Sequence, residues 1–267
     1  MKKSELLGRS RSYVQDVFLP GLNESVTQFH AVNYAKKRLH AAGYQELKER
    51  DDWALEAGKG YYLTRNNSTI VGFKVSGARG TPSLYKVIGC HTDSPVLKMA
   101  PNSGLRDRNG FNQLNVQTYG GGLWHTWFDR DLSLAGKVIV KSANNKVSSH
   151  YWDARNEALL KIPNLAIHLT DKSGTFEPNK ESHLKPIISS SSITQEGTQI
   201  VHLESLLAKI SKDLSLSSDQ TIADLELNII DSQPAQLFGL NQEFVSGPRI
   251  DNLGSSLTAL DALIDDN

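Results

Sequence analysis

The spacing of apolar and polar residues changes along the chain. Residues 25–42 place apolar side chains near one face at helical spacing, which predicts an amphipathic helix. Residues 61–64 and 69–75 are rich in aromatic and β-branched side chains and predict two strands. Residues 84–90 form a short, mostly apolar run, which predicts a strand in the middle of a sheet with His91 at its carboxyl end.

The pattern becomes typical of strands after Pro95. Residues 111–119 and 134–141 alternate apolar and polar side chains, and Asn144-Asn145 predicts a hairpin turn before a strand over 147–152. The remaining predictions are a long surface loop, a helix, a strand and a last helix just after Asp251, over residues 171–199, 205–214, 223–230 and 252–263.

This order of elements predicts an α/β domain interrupted by a β-rich insert. We place the first segment of the α/β domain at residues 1–95, the insert at 96–247 and the second segment at 248–267. A central parallel strand needs neighbours on both edges and helices on both faces. Only one helix is predicted after Asp251, so we expect the α/β domain to be incomplete.

Composition excludes several classes of function. The 267 residues carry 29 basic and 29 acidic side chains, so nothing directs the chain to nucleic acid or to an anionic membrane. No apolar run approaches the roughly 18 residues that cross a bilayer. The N-terminus lacks the apolar core of a secretory signal, and Cys90 is the single cysteine. These features favour a reducing compartment, the cytoplasm.

His91 and Asp93 are the first candidates for chemistry. Imidazole is a good zinc ligand at neutral pH, and a carboxylate two residues away can orient it. An isolated His-x-Asp is a weak signal, and a structural histidine is the alternative. Ser94 lacks the Gly-x-Ser-x-Gly setting of a serine hydrolase, and Gly120-Gly121-Gly122 lacks the Gly-Lys-Ser/Thr ending of a phosphate loop.

Asp251 and His168 each have a structural and a functional interpretation. Asp251 precedes a predicted helix, so it is either a helix-capping acid or a carboxylate placed to hold metal. His168 lies in the apolar stretch 162–169, where a core histidine is the default expectation.

Several motifs occur in the same order in the M18 metallopeptidases, which include the aspartyl aminopeptidases and the yeast vacuolar aminopeptidase. They are Cys90–Pro95, Thr118–Trp124, Thr126–Leu132, Leu134–Gly136, Ile162–Leu169 and Ile250–Leu253. From about residue 20 to its last residue the chain resembles this family, and it is more similar to the aspartyl aminopeptidase branch. The vacuolar branch keeps the vacuole as an alternative location.

The resemblance implies a fold, a cofactor and a reaction. The fold is a phosphorylase/hydrolase-like zinc-peptidase domain with an inserted β-rich dimerisation domain. His91 would bind one zinc ion, Asp251 would bridge two, and Asp93 would orient a ligand. The two zinc ions would activate a water for attack on the scissile carbonyl. His168 would reach a neighbouring subunit's active site and help hold the substrate.

The implied substrates are peptides with an N-terminal Asp or Glu, and the implied assemblies run from dimers to dodecamers. Family members continue past the region matched here, and that remainder supplies a general-base Glu and further metal ligands. We therefore expect a zinc aminopeptidase whose site this chain supplies only in part. The alternative is an inactive truncated form that acts as an assembly partner of a full-length paralogue. A different metal-dependent hydrolase on the same scaffold is a third hypothesis.

Overall fold

A computed structural model describes residues 10–75, 85–106, 110–170, 176–190 and 202–266. The helices are α1 (Leu19–Glu24), α2 (Gln28–Ala41), α3 (Glu204–Asp213) and α4 (Ile250–Asp265), with a π-helical turn over Val14–Phe18 and 3-10 turns over Trp124–Trp127 and Ile167–Leu169. The strands are β1 (Gln45–Glu46), β2 (Gly60–Arg65), β3 (Thr69–Lys74), β4 (Val96–Arg106), β5 (Phe111–Tyr119), β6 (Leu132–Ser142), β7 (Val147–Asp153), β8 (Ile187–Ser190), β9 (Gln220–Asp231), β10 (Gln236–Phe238) and β11 (Phe244–Ser246). None of the helices in these ranges has the length and apolar character needed to span a membrane.

The chain divides into two compact units. The first comprises Met1–Ser94 and Pro234–Asn267, and the second comprises Pro95–Gln233. The second unit is therefore inserted into the first. The sequence pattern put the end of the insert at residue 247, whereas in the structure residues 234–247 belong with the first unit.

The first unit contains a small mixed sheet in the order β1-β2-β3. Strand β1 runs parallel to β2, and β2 runs antiparallel to β3 with Tyr62 opposite Gly72. Helix α2 buries Phe29, Val32 and Leu39, the apolar positions that predicted it. Gly43 follows with a φ of 84°, a left-handed conformation that glycine adopts at low cost and that ends the helix.

Helix α4 is the last element of the first unit, and its apolar face is buried. Leu253 and Leu257 are 2% and 6% exposed and pack in one cluster with Leu22 and Tyr34. Further along the helix, Leu263 packs in a second cluster that includes residues of α2 and β2. The leucines that recur at helical spacing in the sequence therefore hold α4 against the rest of the unit.

A buried carboxylate of α4 forms directional hydrogen bonds in addition to this apolar contact. Asp261 of α4 is 7% exposed, and it accepts hydrogen bonds from Arg38 Nη2 and from the Tyr13 hydroxyl, each at 2.7 Å. Arg38 also donates to the Tyr34 hydroxyl at 3.0 Å. Burial raises the pKa of Tyr13, and the hydrogen bond to Asp261 raises it further, so Tyr13 is a neutral donor at physiological pH.

The second unit is built on a six-stranded sheet in the order β7-β6-β9-β4-β5-β8. All of the pairings that involve these strands are antiparallel. Its core consists of apolar side chains from the inner strands and α3, and those that are fully buried include Leu97, Leu114, Leu132, Leu134, Ile210, Leu227 and Ile229. The antiparallel sheet with one apolar face accounts for the period-two pattern of the sequence.

Most of the predicted elements are confirmed. The predicted helices over 25–42 and 205–214 correspond to α2 and α3, and the predicted strands after Tyr61 and in the β-rich region correspond to β2, β3, β5, β6, β7 and β9. The surface loop over 171–199 is wrong for residues 187–190, which form β8 and pair with β5. Ile187 and Ile188 suit an edge strand, but the serines beside them conceal the pattern. Residues 171–175 and 191–199 of the predicted loop lie outside the described residues.

Gly136 provides a test of the packing between β6 and β9. A Cβ atom on Gly136 would lie 2.0 Å from the Glu226 carbonyl oxygen and 2.9 Å from Leu227 Cα. Both neighbours are backbone atoms of a paired strand, so they cannot move aside without disturbing the sheet. We predict that Gly136→Ala lowers the free energy of unfolding by about 1–3 kcal/mol. Urea unfolding followed by circular dichroism measures this loss.

Gly121 is the matched control, because a Cβ added there meets no atom within 4 Å. Gly121→Ala should leave the unfolding midpoint close to that of the wild type. Equal midpoints for Gly136→Ala and Gly121→Ala would show that the two strands do not approach as closely as described.

Asp261 provides a test of how α4 is held. Asp261→Ala would leave Arg38 and Tyr13 without their shared acceptor, and the Arg38 side chain is only 30% exposed. We predict a loss of about 2 kcal/mol in the free energy of unfolding, less than for a fully buried pair. Thermal unfolding checks this against Asp265→Ala, an exposed aspartate on the same helix. Equal effects of the two substitutions would show that the Asp261 network adds nothing to stability.

Candidate functional site

Residues 85–91 are an exposed coil, so the predicted strand over Leu84–Cys90 is wrong for residues 85–90. Tyr85, Val87 and Ile88 are 77%, 85% and 72% exposed. A strand forms only where another strand accepts its backbone hydrogen bonds, and no strand in the described part of the chain pairs with this segment. Leu84 lies outside the described residues. His91 is therefore presented by a coil and not by the end of a strand.

His91 and Asp93 interact directly in this coil. His91 Nδ1 lies 3.1 Å from Asp93 Oδ1, and the His91 side chain is 70% exposed. A carboxylate oxygen accepts hydrogen bonds, so in this pair Nδ1 is the donor and carries the proton. The lone pair of a neutral imidazole is then on Nε2. The arrangement leaves His91 with one nitrogen suited to a metal ion and the other held by Asp93.

Asp251 stands where the backbone enters α4. It is exposed and has non-helical angles, φ −86° and ψ 108°, and its peptide bond to Asn252 is cis. Helical geometry continues from Asn252 onward, and the Leu253 N–H reaches back to the Arg249 carbonyl at 3.0 Å. The predicted helix after Asp251 is confirmed, and Asp251 itself lies at the exposed start of it.

A set of hydrogen bonds, the Asn252 clamp, ties the His91 coil to the start of α4. The Asn252 N–H donates to Ser94 Oγ at 3.1 Å, and Asn252 Nδ2 donates to the Asp93 carbonyl at 3.0 Å. One turn later the Ser256 hydroxyl donates to the His91 carbonyl. These contacts bring the backbone beside His91 and Asp93 to the residue that follows Asp251. The backbone of the coil therefore lies beside the start of α4 within the first unit.

A further contact fixes the middle of the coil. The Thr92 hydroxyl donates to the Ser68 carbonyl at 2.6 Å, and Ser68 belongs to the turn between β2 and β3. The coil is therefore held on one side by the small sheet and on the other by α4.

The donor chemistry of this region suits zinc, but the donors are few. Imidazole nitrogen and carboxylate oxygen are both ligands of zinc in proteins. Within the described ranges, no group of three or more His, Cys, Asp or Glu side chains could hold a metal ion together. A catalytic zinc ion takes three protein ligands and a water. His91 and Asp251 fit as members of such a set and do not complete one.

His168 lies in the second unit, in the 3-10 turn Ile167–Leu169, and it is exposed. The expectation of a core histidine is therefore wrong. Its apolar neighbours Leu165, Ile167 and Leu169 are also exposed, at 62%, 66% and 71%. The apolar stretch suggested burial, but these residues lie outside regular strands and α-helices and form a surface segment instead.

Asp129 anchors the beginning of this segment. Its carboxylate accepts hydrogen bonds from the Asn164 backbone N–H at 2.9 Å and from Asn164 Nδ2 at 2.7 Å. The bond from the backbone N–H, and then the bond from the side-chain amide, lower the pKa of Asp129. The charged form is therefore the one that the structure stabilises. The bonds between Asp129 and Asn164 therefore fix the start of the segment over 163–169.

No role for Asn252, Ser94 or Ser256 could be predicted from local patterns, although these residues form the contacts that assemble this region. Asn252 follows Asp251 directly, so a polar side chain at a helix start was the one available signal. Ser256 carries no signal, because a serine within a helix is most often a solvated residue. Both contacts join residues more than 150 positions apart, and local patterns contain no such information.

Comparison with known proteins gives a consistent result. The family model described as "Aminopeptidase I zinc metalloprotease (M18)" matches residues 21–267. A "Probable aspartyl aminopeptidase" of Ricinus communis is 40% identical over 91% of this chain, and the aspartyl aminopeptidase of Aspergillus oryzae is 40% identical over 93%. The match covers 55% of each relative, so the chain spans about half the length of these curated proteins.

A solved structure agrees with these matches. In the cryo-EM structure of the Ape4 and Nbr1 complex, one chain is similar to this one with a TM-score of 0.88 and 36% sequence identity. The similarity covers 97% of this chain and 52% of that chain. The mixed α/β architecture described above is therefore shared with a solved structure over nearly the whole of this chain.

Asp129 gives a testable prediction for the His168 segment. Asp129→Ala removes both acceptors of Asn164, so the Asn164 amide should exchange with deuterium severalfold faster. Asp131→Ala is the control, because Asp131 pairs with Lys161 at 2.9 Å and not with Asn164. Hydrogen exchange read by mass spectrometry over residues 163–169 measures the difference. Unchanged exchange in Asp129→Ala would show that the segment is fixed by other contacts.

Proposed function

The chain belongs to the M18 family of zinc metalloproteases, and we propose that it contributes part of a two-zinc site that removes an N-terminal Asp or Glu from peptides. The single observation that carries the proposal is the Asn252 clamp, which brings the His91 coil and Asp251 together. These residues are far apart in sequence. The clamp sets the backbone at His91 beside the residue that follows Asp251, and imidazole and carboxylate are both zinc ligands in a family of zinc enzymes.

His91 and Asp251 are the residues that would hold metal. Asp93 accepts a hydrogen bond from His91 Nδ1, so Nε2 is the nitrogen that would face a metal ion. The exposed Asp251 carboxylate has two oxygens, so it could serve two ions at once. When bound, zinc supplies a Lewis acid that polarises a carbonyl and lowers the pKa of water.

We propose that residues outside this chain complete the site. Support comes from the donor count, since the described residues offer no set of three ligands, and from the relatives, which are nearly twice as long. The exposed apolar coil over 85–88 agrees with this, because an apolar run of that kind suits a strand that gains neighbours. The incomplete phosphorylase/hydrolase-like domain expected from the sequence remains part of the proposal.

The proposed substrate preference follows the relatives, which are named aspartyl aminopeptidases. We further propose that the chain assembles with copies of itself through the second unit, the proposed dimerisation domain. The segment over 163–169 supports this, because it exposes three large apolar side chains around His168 from a fixed anchor. His168 is proposed to act on substrate held by a neighbouring subunit. A cytoplasmic location stays part of the proposal.

The test uses the chain together with the part of the Aspergillus oryzae relative that it does not cover. The two pieces are co-expressed, purified together and supplied with zinc. We predict hydrolysis of aspartyl and glutamyl anilides in clear preference to lysyl anilide. His91→Ala and Asp251→Ala should each reduce turnover by at least roughly a hundredfold, because each removes a proposed metal ligand.

His40→Ala is the matched control, since His40 is an exposed histidine of α2 in the same unit. It should leave turnover unchanged. Wild-type turnover in His91→Ala would contradict the site assignment, and equal rates on all three anilides would contradict the substrate assignment.

A second candidate function is that of an inactive assembly partner. Its support is the exposed apolar segment over 163–169, which would serve association whether or not the chain takes part in catalysis. This candidate predicts co-purification with the full-length Aspergillus oryzae relative without any dependence of hydrolysis on His91. Failure of the two proteins to sediment together would exclude it.

A further inference from the structure

We propose that Asn252 is a positioning residue that sets the geometry between His91 and Asp251 before any metal binds. The inference rests on the proposed function and goes beyond it, because it assigns a role to a residue that ligates nothing. Asn252 donates two hydrogen bonds, one from its backbone N–H and one from its side-chain amide. The acceptors are Ser94 Oγ and the Asp93 carbonyl, on two consecutive residues of the coil. Two bonds from one residue fix both the distance and the angle between two chain segments.

The position of Asn252 couples it to both proposed ligands. It follows Asp251 directly, so its backbone shares a peptide unit with that residue. Its amide holds the carbonyl of Asp93, the residue whose carboxylate holds His91 Nδ1. A rotation of Asn252 would therefore move Asp251 and the His91–Asp93 pair relative to one another. Ligand shells of metal sites depend on outer contacts of this kind.

The clamp and the Thr92–Ser68 hydrogen bond hold a coil that has no strand pairing within the described residues. Residues 85–91 are all exposed, and no strand in the described ranges pairs with them. Ser256 adds a third contact at the His91 carbonyl, and it stands one helical turn beyond Asn252. Both residues project from the same side of α4, since positions four apart lie on one face. The start of α4 thus acts as a template for the coil.

Helix α4 does not need the clamp to stay in place. Leu253 and Leu257 are buried in the apolar cluster, and Asp261 is held by Arg38 and Tyr13. Substitutions of Asn252, Ser94 and Ser256 should therefore leave the unit folded. Their expected effect is on the geometry of the donors and not on global stability, and this difference separates positioning from a merely structural role.

The experiment uses the chain co-purified with the part of the Aspergillus oryzae relative that it does not cover, and it measures the zinc affinity of the metal-free protein by competition with a chromophoric chelator, alongside its thermal unfolding. We expect Asn252→Ala and Asn252→Asp to weaken zinc binding by roughly tenfold to a hundredfold. Asn252→Asp should be at least as weak, because it turns a carboxylate toward the Asp93 carbonyl. Asn241→Ala is the matched control, since Asn241 is an exposed asparagine of the same unit.

A second pair of variants keeps the test independent of Asn252. Ser94→Ala removes the acceptor of the Asn252 N–H, and Ser94→Thr restores a hydroxyl. We expect weaker zinc binding in the first and recovery in the second, with hydrogen exchange over residues 85–94 faster only in the first. Ser256→Ala should behave like Ser94→Ala, and Ser255→Ala, an exposed serine of the same helix, should match the wild type.

Zinc affinities of the Asn252 and Ser94 variants within twofold of the Asn241→Ala control would overturn the inference. A fall in unfolding temperature without a change in zinc affinity would also overturn it, because the clamp would then be structural. The proposed function fails separately if the co-purified pieces bind no zinc, or if His91→Ala leaves their zinc affinity unchanged. In either of those cases the inference fails with it.

Discussion

The burial of one face of α4 is the constraint on which the candidate site depends. Leu253 and Leu257 fix the helix in the apolar cluster of the first unit, and Asp261 fixes its rotation by accepting from Arg38 and Tyr13. A helix held in both position and rotation presents its first residues in one direction. Asp251 and Asn252 stand at that end, so the packing of apolar side chains determines where the polar ones meet the His91 coil.

The two units are stabilised by different kinds of interaction. The second unit is an antiparallel sheet whose inner strands bury their apolar positions, and its exposed His168 segment leaves from the Asp129 anchor. The first unit has a small sheet and relies on helices and side-chain hydrogen bonds to arrange its coil. Polar contacts give direction where apolar contacts give only proximity. This division places the proposed metal ligands in the unit where geometry is set by individual hydrogen bonds.

Periodic features could be predicted from the sequence, and contact-dependent features could not. The leucines of α4 and the alternation in β5 and β6 specify their elements locally, because one buried face imposes the period. The apolar run before His91 has the composition of a central strand, but its conformation depends on partners that composition does not reveal. The candidate ligands His91 and Asp251 came from motif resemblance, whereas the Asn252 clamp required the structure, since its contacts span more than 150 positions.

The most direct measurement is a double-substitution cycle on zinc affinity, made on the metal-free chain co-purified with the remaining part of the Aspergillus oryzae relative, with His91→Ala, Asp251→Ala and the combined variant. If both side chains ligate the same ion, each single substitution weakens zinc binding. The loss of affinity in the combined variant is then much smaller than the product of the two single losses. Losses that simply multiply would show that the two residues act at separate places. No loss in either single variant would contradict a metal site at the start of α4.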